Sequence, residues 1–167
     1  MPLVRNSLQM IFLPGHLDDR WSQAQLYEFR EMCLVRSWIE DDRCGLNKDG
    51  IVEGGFVRFW FEESERLRLY ANHQGGYRVH CPHCFDNVAR FFSSTVQSWR
   101  KGGSQYFKCE GCLKETSIHS CVLKPPGGFA HSALIFANVE SASVSKEAQM
   151  LIEKIFGKTR LVFKRLG

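Results

Sequence analysis

Cys81-Pro82-His83-Cys84 and Cys109-Glu110-Gly111-Cys112 carry the clearest chemistry in this chain. Each Cys-x-x-Cys turn aims two thiolates at one point, and twenty-four residues separate the two pairs. Four thiolates from two such turns complete a tetrahedron, the arrangement zinc adopts in closed sites. A closed site keeps no open position for a substrate, so this pattern implies one structural Zn2+ on Cys81, Cys84, Cys109 and Cys112. Binding the ion would also supply folding free energy to a segment too short for a large core.

On these residues the stretch 76–124 resembles a zinc ribbon, a likeness that covers under a third of the chain. There is one departure. Ribbon knuckles often carry glycine directly after the second cysteine, and Phe85 and Leu113 stand there instead. A rival reading takes Cys81-Pro82-His83-Cys84 as the active-site tetrapeptide of a thiol–disulfide oxidoreductase, where a low-pKa cysteine starts a helix. The preceding Tyr77–His80 lacks the apolar strand that fold needs, and Cys109 and Cys112 would be left unused. The seven cysteines thus divide into four ligands and three free thiols, Cys33, Cys44 and Cys121. His80, His83 and His119 are expected on the surface of the 76–124 segment rather than on the ion, and His73 and His131 have no evident partner.

Other motifs give little. Asn47-Lys48-Asp49-Gly50 would need an acidic first ligand and a closing glutamate to bind calcium, and reads as a turn. No phosphate-binding glycine loop, nucleophilic serine motif or zinc-deaminase signature is present in the sequence. His119 lacks an upstream partner for metal-dependent nuclease chemistry. The expectation is a binding protein, not an enzyme.

Charge sharpens the question of what it binds. From His16 to Glu65 there are six Lys/Arg against twelve Asp/Glu, net −6; from Arg66 to Gly167 there are fifteen against six, net +9. Residues 76–124 hold seven Lys/Arg against three acids, net +4, interleaved with Tyr77, Phe91, Phe92, Trp99, Tyr106 and Phe107. Cations meet phosphates and rings stack on bases, so nucleic-acid contact through Arg90, Trp99, Arg100, Lys101 and Lys108 is expected, with Trp99-Arg100-Lys101 as an exposed tip. The alternative is a protein inhibitor or adaptor, such as an immunity protein neutralising a toxin. Its interface would be the ribbon or the acidic N-terminal flank at Asp41 and Asp42. Neither a membrane nor a small-molecule substrate is inferred.

The chain has 167 residues, 44% hydrophobic and 24% charged, enough for one domain with a small insertion. Its apolar runs are too short to span a bilayer and no export leader is visible, so the cytoplasm is the expected location. Four Gly-Gly pairs punctuate it, two of them bracketing the cysteine-rich segment, which divides the chain into an α/β scaffold (1–75 and 125–167) and an insert (76–124).

The scaffold must position the insert. Leu8–Leu13 reads as a buried strand. A helix should follow from Ser22, with Gln25 completing a capping box and Trp21 and Leu26 as a hydrophobic staple, running to about Ile39. Phe56–Glu62 and Leu67–Ala71 read as two strands. After the insert come a strand (Ala133–Val139), a helix begun among Ser141–Ser145 and stopped at Gly157, and a last strand (Arg160–Phe163). The fold class expected is α+β, a ferredoxin-like β-α-β…β-α-β sandwich interrupted by a zinc-ribbon insert. Between the knuckles, residues 86–99 fit either a helical face behind Asp86 or strands; strands are the reading taken.

Overall fold

The computed structural model describes residues 7–40, 50–74 and 76–166. Asp41, Asp42, Cys44 and residues 47–49 of the expected turn lie outside them. The elements run β1 (Ser7–Pro14), α1 (Gln23–Val35), β2 (Arg58–Tyr70), β3 (Arg78–His80), α2 (Ala89–Arg100), β4 (Tyr106–Lys108), β5 (Glu115–Ser117), a 3-10 turn (Ile118–Ser120), β6 (Val122–Lys124), β7 (Gly128–Ala137), α3 (Lys146–Phe156) and β8 (Thr159–Leu166).

Four strands form one sheet in the order β2-β7-β1-β8, with every neighbouring pair antiparallel. β1 and β2 are therefore parallel to each other, joined through α1 and separated by β7. The alternation of side chains explains the apolar run in β1: Met10 and Phe12 point to one face, Ile11 and Leu13 to the other, and all four are buried. Phe29 and Cys33 of α1, with Ala148, Leu151, Ile152 and Phe156 of α3, cover the first face. Phe136 of β7 is the hub of that core, its ring 5.0–6.4 Å from those of Phe12, Phe29, Phe56 and Phe59. Burying each such ring contributes roughly 1.5–3 kcal/mol.

The helix ends follow local chemistry. Ser22 and Gln25 form the expected reciprocal capping box, and Ser145 accepts from the Ala148 N–H at the start of α3. Gly157 ends α3 at φ +79°. α1, however, stops at Val35 and not near Ile39. The Trp38 N–H turns back to the Cys33 carbonyl at 2.9 Å and Ser37 takes φ +58°, a left-handed C-terminal cap that drops Trp38 and Ile39 into the core. The two strands expected over residues 56–71 are one, because both halves pair with β7. The register shifts between Glu63 and Arg68, so a bulge takes up residues 64–67 between them.

In the insert, β3 pairs with β6 (Arg78 opposite Lys124) and closes the segment; within it lie α2 and the β4–β5 hairpin. The strand reading of residues 86–99 is corrected by α2. Val88, Phe92 and Val96 are buried at helical spacing, and Asn87 Oδ1, not Asp86, accepts from the first helical N–H, that of Ala89. The insert's core also includes Ala71 and Phe129 from the scaffold, so its apolar interior is continuous with the sheet's end. No described helix is long and apolar enough to cross a membrane.

Candidate metal centre

The two knuckles have the same hydrogen-bond pattern. In the first, the Phe85 N–H donates to the Cys81 carbonyl and the Cys81 N–H to the Asp86 carbonyl, both at 2.9 Å. In the second, the Leu113 N–H donates to Cys109 at 2.9 Å and the Cys109 N–H to Lys114 at 3.0 Å. Such a turn closes only if the residue after the second cysteine is left-handed, and Phe85 and Leu113 sit at φ +64° and +62°. This is why glycine usually stands there; a side chain costs roughly 1–2 kcal/mol in that conformation. Gly111 is required for a different reason. A Cβ there would collide with the Asp86 carboxylate and come within 3.2 Å of Cys84 Sγ.

The four Sγ atoms lie within 4.8 Å of one another. Cys81 and Cys112 are 3.8 Å apart, Cys84 and Cys109 3.6 Å. A tetrahedral ion with Zn–S bonds of about 2.3 Å sets its sulfurs about 3.8 Å apart, so these spacings are compatible with zinc. Cys81 and Cys109 are buried, Cys84 and Cys112 half-buried. Burial opposes ionisation of Cys81, but the N–H groups of Cys84 and His83 and the thiols of Cys109 and Cys84 outweigh it and lower its pKa to about 6. The Asp86 N–H favours the Cys84 thiolate, yet burial and three neighbouring sulfurs push that thiol up to about 12. Without an ion the cluster thus resists holding four negative charges; a divalent cation removes that resistance.

The strained knuckles give a direct prediction. Leu113 is 66% exposed, so Leu113→Gly should remove strain at little packing cost and raise the thermal midpoint, a gain of about 0.5–1 kcal/mol after glycine's extra chain entropy. Phe85→Gly should gain less. Phe85 stacks flat on His80 with centroids 4.5 Å apart, and Lys124 Nζ lies 4.7 Å from its ring. A Leu113→Gly chain that melts below the parent would show the conformation is not strained.

His83 is exposed, its backbone N–H donating to Cys81 Sγ at 3.4 Å. His119, expected at the surface, is instead half-buried, edge-on to Phe129 and Trp99 with centroids 4.6 and 5.2 Å away. Burial lowers its pKa, and its Nε2 has no hydrogen-bond partner among the described residues. His131 donates from Nδ1 to the Ser64 carbonyl, 3.1 Å away, and His73 packs edge-on to Tyr77. Cys33 is buried and Cys121 half-buried. Burial pushes both up to about 12, and at Cys121 the negative charge of Cys81 and Cys109 adds to it.

The suggested contact residues fall at two ends of the insert. Arg90 lies in the first turn of α2, and Lys108 ends β4, which the Phe91–Phe107 ring stack holds beside that turn. Arg100 and Lys101 lie at the other end, about 15 Å away along the helix. All four are exposed. Trp99 is not an open tip. It is half-buried, with Phe129 edge-on at 5.6 Å and the Arg66 guanidinium 5.3 Å over its ring. Sequence reasoning missed Arg66, whose two terminal nitrogens donate to the Trp99 and Arg100 carbonyls at 3.0 Å and so cap α2 from the scaffold. The Arg66-Leu67-Arg68 run was the available signal, but its meaning depends on the bulge.

Fold and site together define a mixed α/β protein, with three α-helices and antiparallel sheets among the described residues and a four-cysteine centre compatible with a zinc-binding module. No protein-family model matches the chain, nor does any curated protein or solved structure.

Proposed function

We propose that this is a non-catalytic zinc-ribbon protein that contacts nucleic acid, its ribbon carried between the halves of a ferredoxin-like scaffold. The scaffold reading rests on the β2-β7-β1-β8 order with both long helices against one face. The all-thiolate donor set and the sulfur spacing support zinc, and a closed set of four supports structure over catalysis. The observation that carries the binding reading is the exposed Arg90, Arg100, Lys101 and Lys108 on the metal-bearing insert. Fold alone indicates no function.

A gel-shift titration of the zinc-loaded chain with single- and double-stranded oligonucleotides tests it. Arg100→Ala with Lys101→Ala should weaken binding and flatten its salt dependence. Absence of binding to any DNA or RNA at low salt would sink the reading. A second reading, a protein inhibitor or adaptor, draws support from Phe85 and Leu113, large apolar side chains 50% and 66% exposed at the knuckle tips. It predicts a stoichiometric complex on native pull-down that Leu113→Asp disrupts, and recovery of no stable partner would remove it.

A further inference from the structure

Two neighbouring hollows that share Arg68 and Leu69 lie by the C-terminal end of α2 and on the sheet's second face. One hollow of about 380 Å3 is lined by Ser64, Arg66, Arg68, Trp99 and Arg100 among others. A second, about 340 Å3, lies over the helix-free face and is lined by Trp60, Glu62, Arg68, Tyr70 and Lys164 among others. Arg68 lines both. The lining residues therefore include four cations, Arg66, Arg68, Arg100 and Lys164, against one carboxylate, Glu62.

That carboxylate does little to neutralise them. Its contact with Arg68 is long, 3.8 Å, and the Arg68 side chain remains 56% exposed. Arg66 is fixed by the helix-end carbonyls, which leaves its positive charge in place. The side chains of Arg100 and Lys164 make no hydrogen bond or ion pair with another described residue. The field reaches His73, whose pKa is lowered by desolvation first and then by Lys164 and Arg100. Four like charges around two hollows that meet at Arg68 repel one another, a cost that an anion laid among them relieves.

We propose that these hollows hold a single-stranded nucleic acid, with its phosphodiester backbone along Arg66, Arg68, Arg100 and Lys164 and its bases toward Trp60. Tyr70 is buried, so the half-buried Trp60, with the Arg58 guanidinium 4.7 Å over its ring, is the aromatic surface on offer. Cations beside such a ring suit unpaired bases, whose flat faces are free, whereas a duplex hides them. The proposal rests on the nucleic-acid reading above and extends the contact from the insert to the scaffold.

The test compares two variants of the full zinc-loaded chain, each lacking two positive charges: Arg68→Gln with Lys164→Gln at the hollows, and Lys101→Gln with Lys108→Gln on the insert. Both are titrated by fluorescence anisotropy against a labelled single-stranded oligonucleotide and its duplex over a range of salt. The hollow variant should bind the single strand about tenfold or more weakly, and its log–log salt slope should fall by about 1.4, two phosphate contacts at about 0.7 each. Wild-type chain should favour the single strand. If the hollow variant stays within about twofold of wild type while the insert variant loses affinity, the hollows are not the site and the insert reading stands. Tighter binding of duplex overturns the single-strand assignment. Failure of wild type to bind either probe overturns the nucleic-acid reading itself. A thermal melt and a zinc assay on each variant establish that the fold is intact.

Discussion

Removing the metal should unfold the insert. Chain purified without a histidine tag should contain one zinc ion, and Cys81→Ser or Cys109→Ser should reduce that to a small fraction. Structural zinc sites of this kind carry an apparent binding free energy of roughly 10 kcal/mol or more, larger than an insert of this size can replace by packing. A strong chelator should therefore abolish the amide protection of α2 and red-shift Trp99, while the β1–β8 sheet with α1 and α3 keeps its protection. Acid should have the same effect. In the folded knuckle the Cys81 thiol is depressed to about 6. A depressed thiol stabilises the fold above its ordinary value near 9 and loses that contribution as pH falls through 6. Metal binding must also displace the proton held on Cys84, so affinity drops as acidity rises. A chain that contains no metal and carries a Cys81–Cys84 disulfide would overturn this account and favour thiol–disulfide chemistry.

Trp99→Ala should destabilise the whole chain by about 3 kcal/mol, read from the urea midpoint of the zinc-loaded protein. The ring joins insert and scaffold: Phe129 of β7 packs edge-on to it, His119 flanks it and Arg66 of β2 lies over it. Truncation leaves a cavity in the insert's core, where Phe129 of β7 packs, and strips the aromatic face from Arg66. Trp99→Phe should recover more than half of the loss. Arg66→Gln should add little on top of Trp99→Ala, since the pair acts as one contact. A loss below about 1 kcal/mol for Trp99→Ala would mean the ring contributes no packing, and would return it to the role of an open contact residue.

Spacing was enough to find the four-cysteine cluster, because such a centre depends on two short turns whose geometry each tetrapeptide specifies locally. The same local logic located the Ser22–Gln25 capping box, the Ser145 cap and the Gly157 stop. It also flagged Phe85 and Leu113 as departures, and both carry positive φ. Residues 86–99 went astray because Val88, Phe92 and Val96 fit a helix while their neighbours are serine, threonine and other weak helix formers. Burial against Phe107 and Phe129 decided for the helix.

What the sequence alone determined are features held by residues a few positions apart: the cysteine knuckles, the helix caps, and the apolar run of a strand buried on both faces. What only the tertiary structure decided are relations between distant segments. The bulge that joins two expected strands into β2 depends on pairing with β7, more than sixty residues on. The cap that Arg66 places on α2, the burial of Trp99 and His119, and the placing of Arg68 between the hollows lined by Arg100 and by Lys164 likewise depend on contacts between distant segments, Lys164 through the β1–β8 pairing. Short-range geometry is written in residue type and spacing. A charge surface assembled from a strand, a helix end and the C-terminal strand exists only once the sheet's register has been set.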